Sequence, residues 1–139
     1  MMPAMVSGGA VYALLDASDG NHAGAAAAVR ELEGPLVLVA PVLTDAMRLA
    51  ARYLGQALAL RLLEATLEGG LLLQPLERRD LQEARRLMSL GGGLSASAAL
   101  TLAAAERLGV RDVLVVEPAT RRAVERLGLR LWPAEDGCA

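Results

Sequence analysis

Short apolar runs alternate with longer segments of helical period along the whole chain. "AMV" at 4–6 predicts a short strand, stopped by Ser7, Gly8 and Gly9, and "AVYALLDA" after it predicts a short helix. Asn21 is placed to N-cap a second helix over 22–33, which Gly34 closes. "LVLVA", entered through Pro35, is an unbroken apolar run of the kind buried in a parallel sheet. Pro41 suits the first turn of a helix that runs to about Tyr53 and stops at Gly55. A further helix covers 56–68, and "GGLLLQPL" supplies a third strand. Asp80 begins a helix with Leu81, Ala84, Leu87 and Met88 along one face. Residues 91–93 are a glycine loop, Ser95 or Ser97 caps an alanine-rich helix, and Gly109 ends it. "DVLVV" at 112–116 is the fourth strand, "TRRAVERLG" an amphipathic helix and "LRLW" a last short strand.

Strands that alternate with helices imply an α/β class, a short parallel sheet with helices on both faces. The 139 residues carry no low-complexity linker and no internal repeat, so a single domain over 1–139 is expected. The chain is 54% hydrophobic but only 2% aromatic, with no Phe, so Leu, Val and Ala must build the core. In such folds ligands sit outside the carboxyl ends of the strands. The positions to inspect are therefore 7–9, 40–45, 74–77 and 117–120.

Charge removes several function classes. All 14 basic residues are Arg, yet the formal net charge is −2, so no global basic field attracts nucleic acid. The arginine pairs 78–79, 85–86 and 121–122 mostly have acids close by and read as a solvated mixed-charge face. No aromatic neighbours are expected beside them for base stacking. The one cysteine, Cys138, forms neither an internal disulfide nor a zinc cluster and suits a reducing cytoplasm. The apolar runs are broken by charge before they reach membrane-spanning length, and "MMPAMVSGGA" has no signal-peptide pattern. His22, the only histidine, sits at a helix start far from any nucleophile elbow and reads as a surface residue. "SGGA" and "GGG" lack a phosphate-loop pattern and read as turn glycines.

Three phrases in order, "GGAVYALLDASDGNHAGA", "GPLVLVAPVLTDAMRLAARYLG" and "LSASAALTLAAAERLGVRDVLVVEP", resemble the PIN domain, a family that includes the VapC-type toxins. The resemblance covers roughly residues 5 to 132 and leaves 133–139 as a short tail. It implies a three-layer α/β/α fold with a short parallel sheet. In active members, carboxylates from separate elements converge on Mg²⁺ or Mn²⁺, which activates water to cleave RNA. Carried over position by position, the four family acids fall on Ser7, Asp45, Ala98 and Glu117. Two acids remain, both of altered length, and two are gone. Asp16 and Asp19, the acids nearest Ser7 in sequence, belong to the far end of the first short helix.

The resemblance thus implies a PIN-like relative of metal-dependent endoribonucleases with a degraded, catalytically impaired acidic site. Its scaffold would serve self-association, as a homodimer, or an antitoxin-like protein partner, with no cofactor expected. The alternative is an active Mg²⁺- or Mn²⁺-dependent ribonuclease in which Asp45 and Glu117 hold the ion and RNA is the substrate. Asp45, Arg48 and Arg52 share a helix face, so the two arginines read either as an ion-pair row or as phosphate contacts. The segment 55–67 is apolar over much of its circumference and is either wholly internal or covered by a partner.

Overall fold

The computed structural model describes residues 2–134, so Cys138 lies outside the described residues. The chain runs β1 (Ala4–Val6), α1 (Gly8–Leu15), α2 (His22–Leu32), β2 (Leu36–Val39), α3 (Ala40–Tyr53), α4 (Gln56–Leu67), β3 (Leu71–Gln74), α5 (Arg78–Ser89), α6 (Ala96–Leu108), β4 (Asp112–Leu114), α7 (Pro118–Arg126) and β5 (Arg130–Trp132). The five apolar runs pair as one all-parallel sheet in the order β3-β2-β1-β4-β5. Met5 of β1 lies opposite Val37 of β2 on one side and Val113 of β4 on the other. The three inner strands are buried along their whole length, as a sheet covered on both faces requires. The architecture is the α/β/α sandwich expected from the strand–helix alternation. No helix among the described residues is long and apolar enough to cross a membrane.

The alanine-rich run is α6, and its composition has a packing reason. Ala98, Ala99, Leu102, Ala103, Ala104 and Ala105 are all buried. Small side chains let this helix lie close against β1 and β2, in a core whose fully buried residues include no aromatic. Ser95, not Ser97, is the N-cap, accepting from the Ala98 amide at 3.2 Å.

Several boundaries differ from the expectation. Gly8 and Gly9 form the first turn of α1 and are not loop. Asn21 precedes α2 but makes no side-chain cap bond, and Glu33, in the left-handed region at φ 56°, ends that helix ahead of Gly34. Gly34 is instead required by a close approach: a Cβ there would collide with the Met2 backbone. Asp80 lies in the first turn of α5 and completes a capping box with Glu77. Of the expected apolar face of α5, Ala84 and Leu87 are buried, whereas Leu81 and Met88 are exposed.

Two arginines do more than solvate a surface. The Arg107 side chain of α6, 8% exposed, donates from Nε to Asp80 Oδ1 at 2.8 Å, and Asp80 is 1% exposed. The same guanidinium reaches Glu77 Oε2 at 3.1 Å and the Pro75 carbonyl at 3.1 Å, stapling the start of α5 to α6. Across the sheet, Asp112 accepts from Arg130 at 2.7 Å and from the Trp132 indole at 2.9 Å, joining β4 to β5. The Arg107 hydrogen bond holds the Asp80 carboxyl below the usual carboxylate range, against the opposing effect of burial. The Arg130 hydrogen bond does the same for Asp112.

Both carboxyls are therefore more acidic folded than unfolded. Their contribution to stability is complete above the unfolded carboxylate pKa, near 4, and is lost as pH falls through the folded values. Urea unfolding across the acid range is expected to show stability declining below about pH 4. Arg107→Ala, which leaves Asp80 buried and unpaired, is expected to cost about 3 kcal/mol at neutral pH and to flatten part of that acid dependence.

Candidate functional site

The carboxyl ends of the two central strands, β1 and β4, deliver Ser7 and Glu117 to the same point. Val6 ends β1, and Ser7 continues in extended conformation as the N-cap of α1, its Oγ accepting from the Ala10 amide at 3.2 Å. The Ser7 hydroxyl donates to Glu117 Oε1 at 2.8 Å. The Gly9 amide donates to Glu117 Oε2 at 2.9 Å, and the Val116 amide donates to Oε1 at 3.3 Å. One carboxylate thus takes three donors and occupies the N-terminus of α1, where unpaired amides and the helix dipole favour an anion. Glycine is required at position 9. A Cβ there would lie 2.9 Å from Glu117 Cδ and 2.9 Å from Val116 Cγ2, closer than real Cβ atoms come.

Asp45 approaches the same helix start from α3. A Cβ on Gly8 would sit 3.4 Å from Asp45 Cβ, so the two acids flank consecutive residues of the first turn of α1. Asp45 Oδ2 accepts from Ser97 Oγ at 2.7 Å and Oδ1 accepts from the Arg48 guanidinium at 3.2 Å. Arg48 is therefore held along its own helix against Asp45. Ala98, the fourth position carried over, turns inward and is 6% exposed, leaving its neighbour Ser97 to face Asp45. Ser97 escaped the sequence reading because its only signal, a second serine in a helix start, is shared with ordinary caps.

Arg52 sits elsewhere. Its guanidinium lies over the Tyr53 ring, 5.2 Å from the centroid. Tyr53 meets Tyr12 edge-on at 6.1 Å and 71°. Arg52 is therefore engaged with a ring supplied by the next residue and not with Asp45. The Tyr12 hydroxyl donates to Asp16 Oδ2 at 2.6 Å, and that bond, with burial and nearby carboxylate charge, pushes its pKa up to about 12. Asp16 is committed to Ser18 and Tyr12 at the far end of α1, away from Ser7. His22 is half-buried, its Nδ1 2.7 Å from the Ala13 carbonyl, and ties α2 to α1.

The donor set at the helix start is two carboxylates, two hydroxyls and a methyl. Among the described residues, no group of three His, Cys, Asp or Glu side chains is placed to share a metal ion. Mg²⁺ prefers near-octahedral oxygen ligands. Here both Glu117 oxygens are taken by protein donors and both Asp45 oxygens are hydrogen-bonded, so the set fits such an ion poorly.

The Ser7–Glu117 tie makes a direct prediction. Ser7→Ala removes both the cap acceptor and the donor to Glu117 and is expected to cost about 1–2 kcal/mol in chemical denaturation. In a double-mutant cycle with Glu117→Ala, the two losses are expected to be non-additive by at least about 0.5 kcal/mol.

No protein-family model matches the chain, and no curated protein matches its sequence. Its fold is similar to the crystal structure of VapC20 from Mycobacterium tuberculosis, a toxin that cleaves the sarcin-ricin loop. That likeness has a TM-score of 0.76 and 17% identity, covering 86% of this chain and 93% of that one. The chain therefore has a PIN/VapC-like fold.

Proposed function

We propose that this protein is a PIN-like relative of the toxin-type ribonucleases that keeps the scaffold for protein association and has lost the metal-dependent chemistry. The observation that carries this reading is the state of Glu117. Its half-buried carboxylate is bound at both oxygens by Ser7, Gly9 and Val116, so it serves the start of a helix of its own chain. To ligate a cation, it would have to give up donors that hold β1, β4 and α1 together. Asp45, shared between Ser97 and Arg48, is left as a single carboxylate on the far flank of that turn. Positions 7 and 98 supply no charge to recruit an ion.

Association takes the form of self-association or of an antitoxin-like protein partner, the kind of partner that the VapC likeness brings with it. A reducing cytoplasmic setting accords with a sequence that has a single cysteine. The rival reading, an RNA-cleaving enzyme with Mg²⁺ or Mn²⁺ on Asp45 and Glu117, has one observation in its favour: both acids flank the first turn of α1. It would require the Glu117 tie to open.

Calorimetric titration with Mn²⁺ at low salt separates the two. The native chain is expected to show no saturable binding tighter than about 1 mM. Ser7→Asp/Ala98→Asp, with folding verified by circular dichroism, is expected to bind Mn²⁺ more tightly by restoring two carboxylates. Micromolar binding by the native chain, abolished in Asp45→Ala/Glu117→Ala, would overturn the reading.

A further inference from the structure

A pocket lies at the amino end of the sheet, the end away from Ser7 and Glu117. It sits where α6 and α7 finish and β4 and β5 begin, and its volume is about 280 Å³. Leu102, Ala105 and Val110 are buried beneath it, and Leu127 and Leu129 are half-buried in its wall. Arg111, at its rim, donates from Nη2 to the Gly128 carbonyl at 2.8 Å and forms no ion pair among the described residues. Glu106, from the last turn of α6, forms none there either. Arg86, the third charge in the lining, is committed to Glu83, to which it donates from Nε at 2.9 Å. Gly109, the C-cap of α6, also lines the pocket, so the negative end of that helix dipole lies beside Glu106.

We infer that this pocket binds a free α-amino acid with an aliphatic side chain, of about the size of leucine. Its walls divide chemically as such a ligand does. Arg111 is the group for the α-carboxylate: the bond to Gly128 steadies the guanidinium, and its other N–H groups can make a charge-assisted pair. Glu106, with the helix end behind it, is the group for the α-ammonium. The buried floor of Leu102 and Val110 takes the side chain. Other classes fit worse. A neutral apolar molecule would cover both charges without pairing them. A nucleotide asks for an aromatic platform and a second free cation, but the lining has no aromatic ring and Arg86 is taken. The volume lies below the usual range for drug-sized ligands and suits a small metabolite.

This inference does not rest on the loss of metal chemistry, since α6 meets Asp45 at its start and the pocket at its end. Titration of the isotope-labelled full chain with L-leucine, followed through its amide resonances, tests it. Saturating shifts are expected at Gly109, Val110 and Leu129, with a dissociation constant below about 5 mM. Isocaproate, which lacks the ammonium, and leucinamide, which lacks the carboxylate, are each expected to bind about tenfold more weakly. Arg111→Gln, at an exposed position, is expected to weaken leucine binding about tenfold. Glu106→Gln, also exposed, is expected to abolish the preference for leucine over isocaproate, which a merely structural role would not do. Circular dichroism verifies that both variants fold. The inference is overturned if leucine gives no saturating shift up to about 50 mM, or if both substitutions leave its binding unchanged. Equal binding of leucine and isocaproate by the native chain overturns it as well.

Discussion

The molecule is organised around one half-buried anion, the Glu117 carboxylate at the start of α1. Parallel α/β sheets leave a crevice beyond the carboxyl ends of their central strands, and helix N-termini there present free amides. Most such sites await a ligand. Here the chain supplies its own, from Glu117 in the turn between β4 and α7, and receives it with Ser7 at the end of β1 and Gly9 in the first turn of α1. The bond closes over more than a hundred residues of sequence and sets the end of β1, the end of β4 and the direction of α1 at once.

Other features follow from that tie. Position 9 must be glycine, because Glu117 and Val116 fill the space of a side chain. Ser7 must be a short donor–acceptor, since its hydroxyl both caps α1 and donates to the carboxylate. Asp45, on the other flank, is held between Ser97 and Arg48.

The sheet was legible because its strands are unbroken apolar runs between glycine and proline punctuation, and "AMV" at 4–6 coincides with β1. The ends were less so. Glycines 8 and 9 read as a turn, yet a capping serine and a carboxylate from far along the chain draw them into a helix. Separation in sequence also hid the Asp80–Arg107 and Asp112–Arg130 pairs, and Asp80 was read only as a helix start and a neighbour of the arginine pair 78–79. At the site, Ser7, Asp45 and Glu117 were legible as positions, but not the bonds among them. Ser97 was hidden because burial of Ala98, a tertiary effect, decides which side chain of that turn faces Asp45. The apolar circumference of α4 was visible, while its exposed half appears only once α3 and the sheet take the other half.

The most direct measurement is the amide resonance of Gly9, followed by NMR through a Mg²⁺ titration of the native chain. That amide donates to Glu117 and reports whether the carboxylate stays on the helix. With Glu117 as an internal cap, the Gly9 resonance is expected to hold its position and its slow solvent exchange through the titration. A saturating shift of Gly9 with loss of exchange protection would mean that the carboxylate leaves the helix for the ion, and would contradict the account.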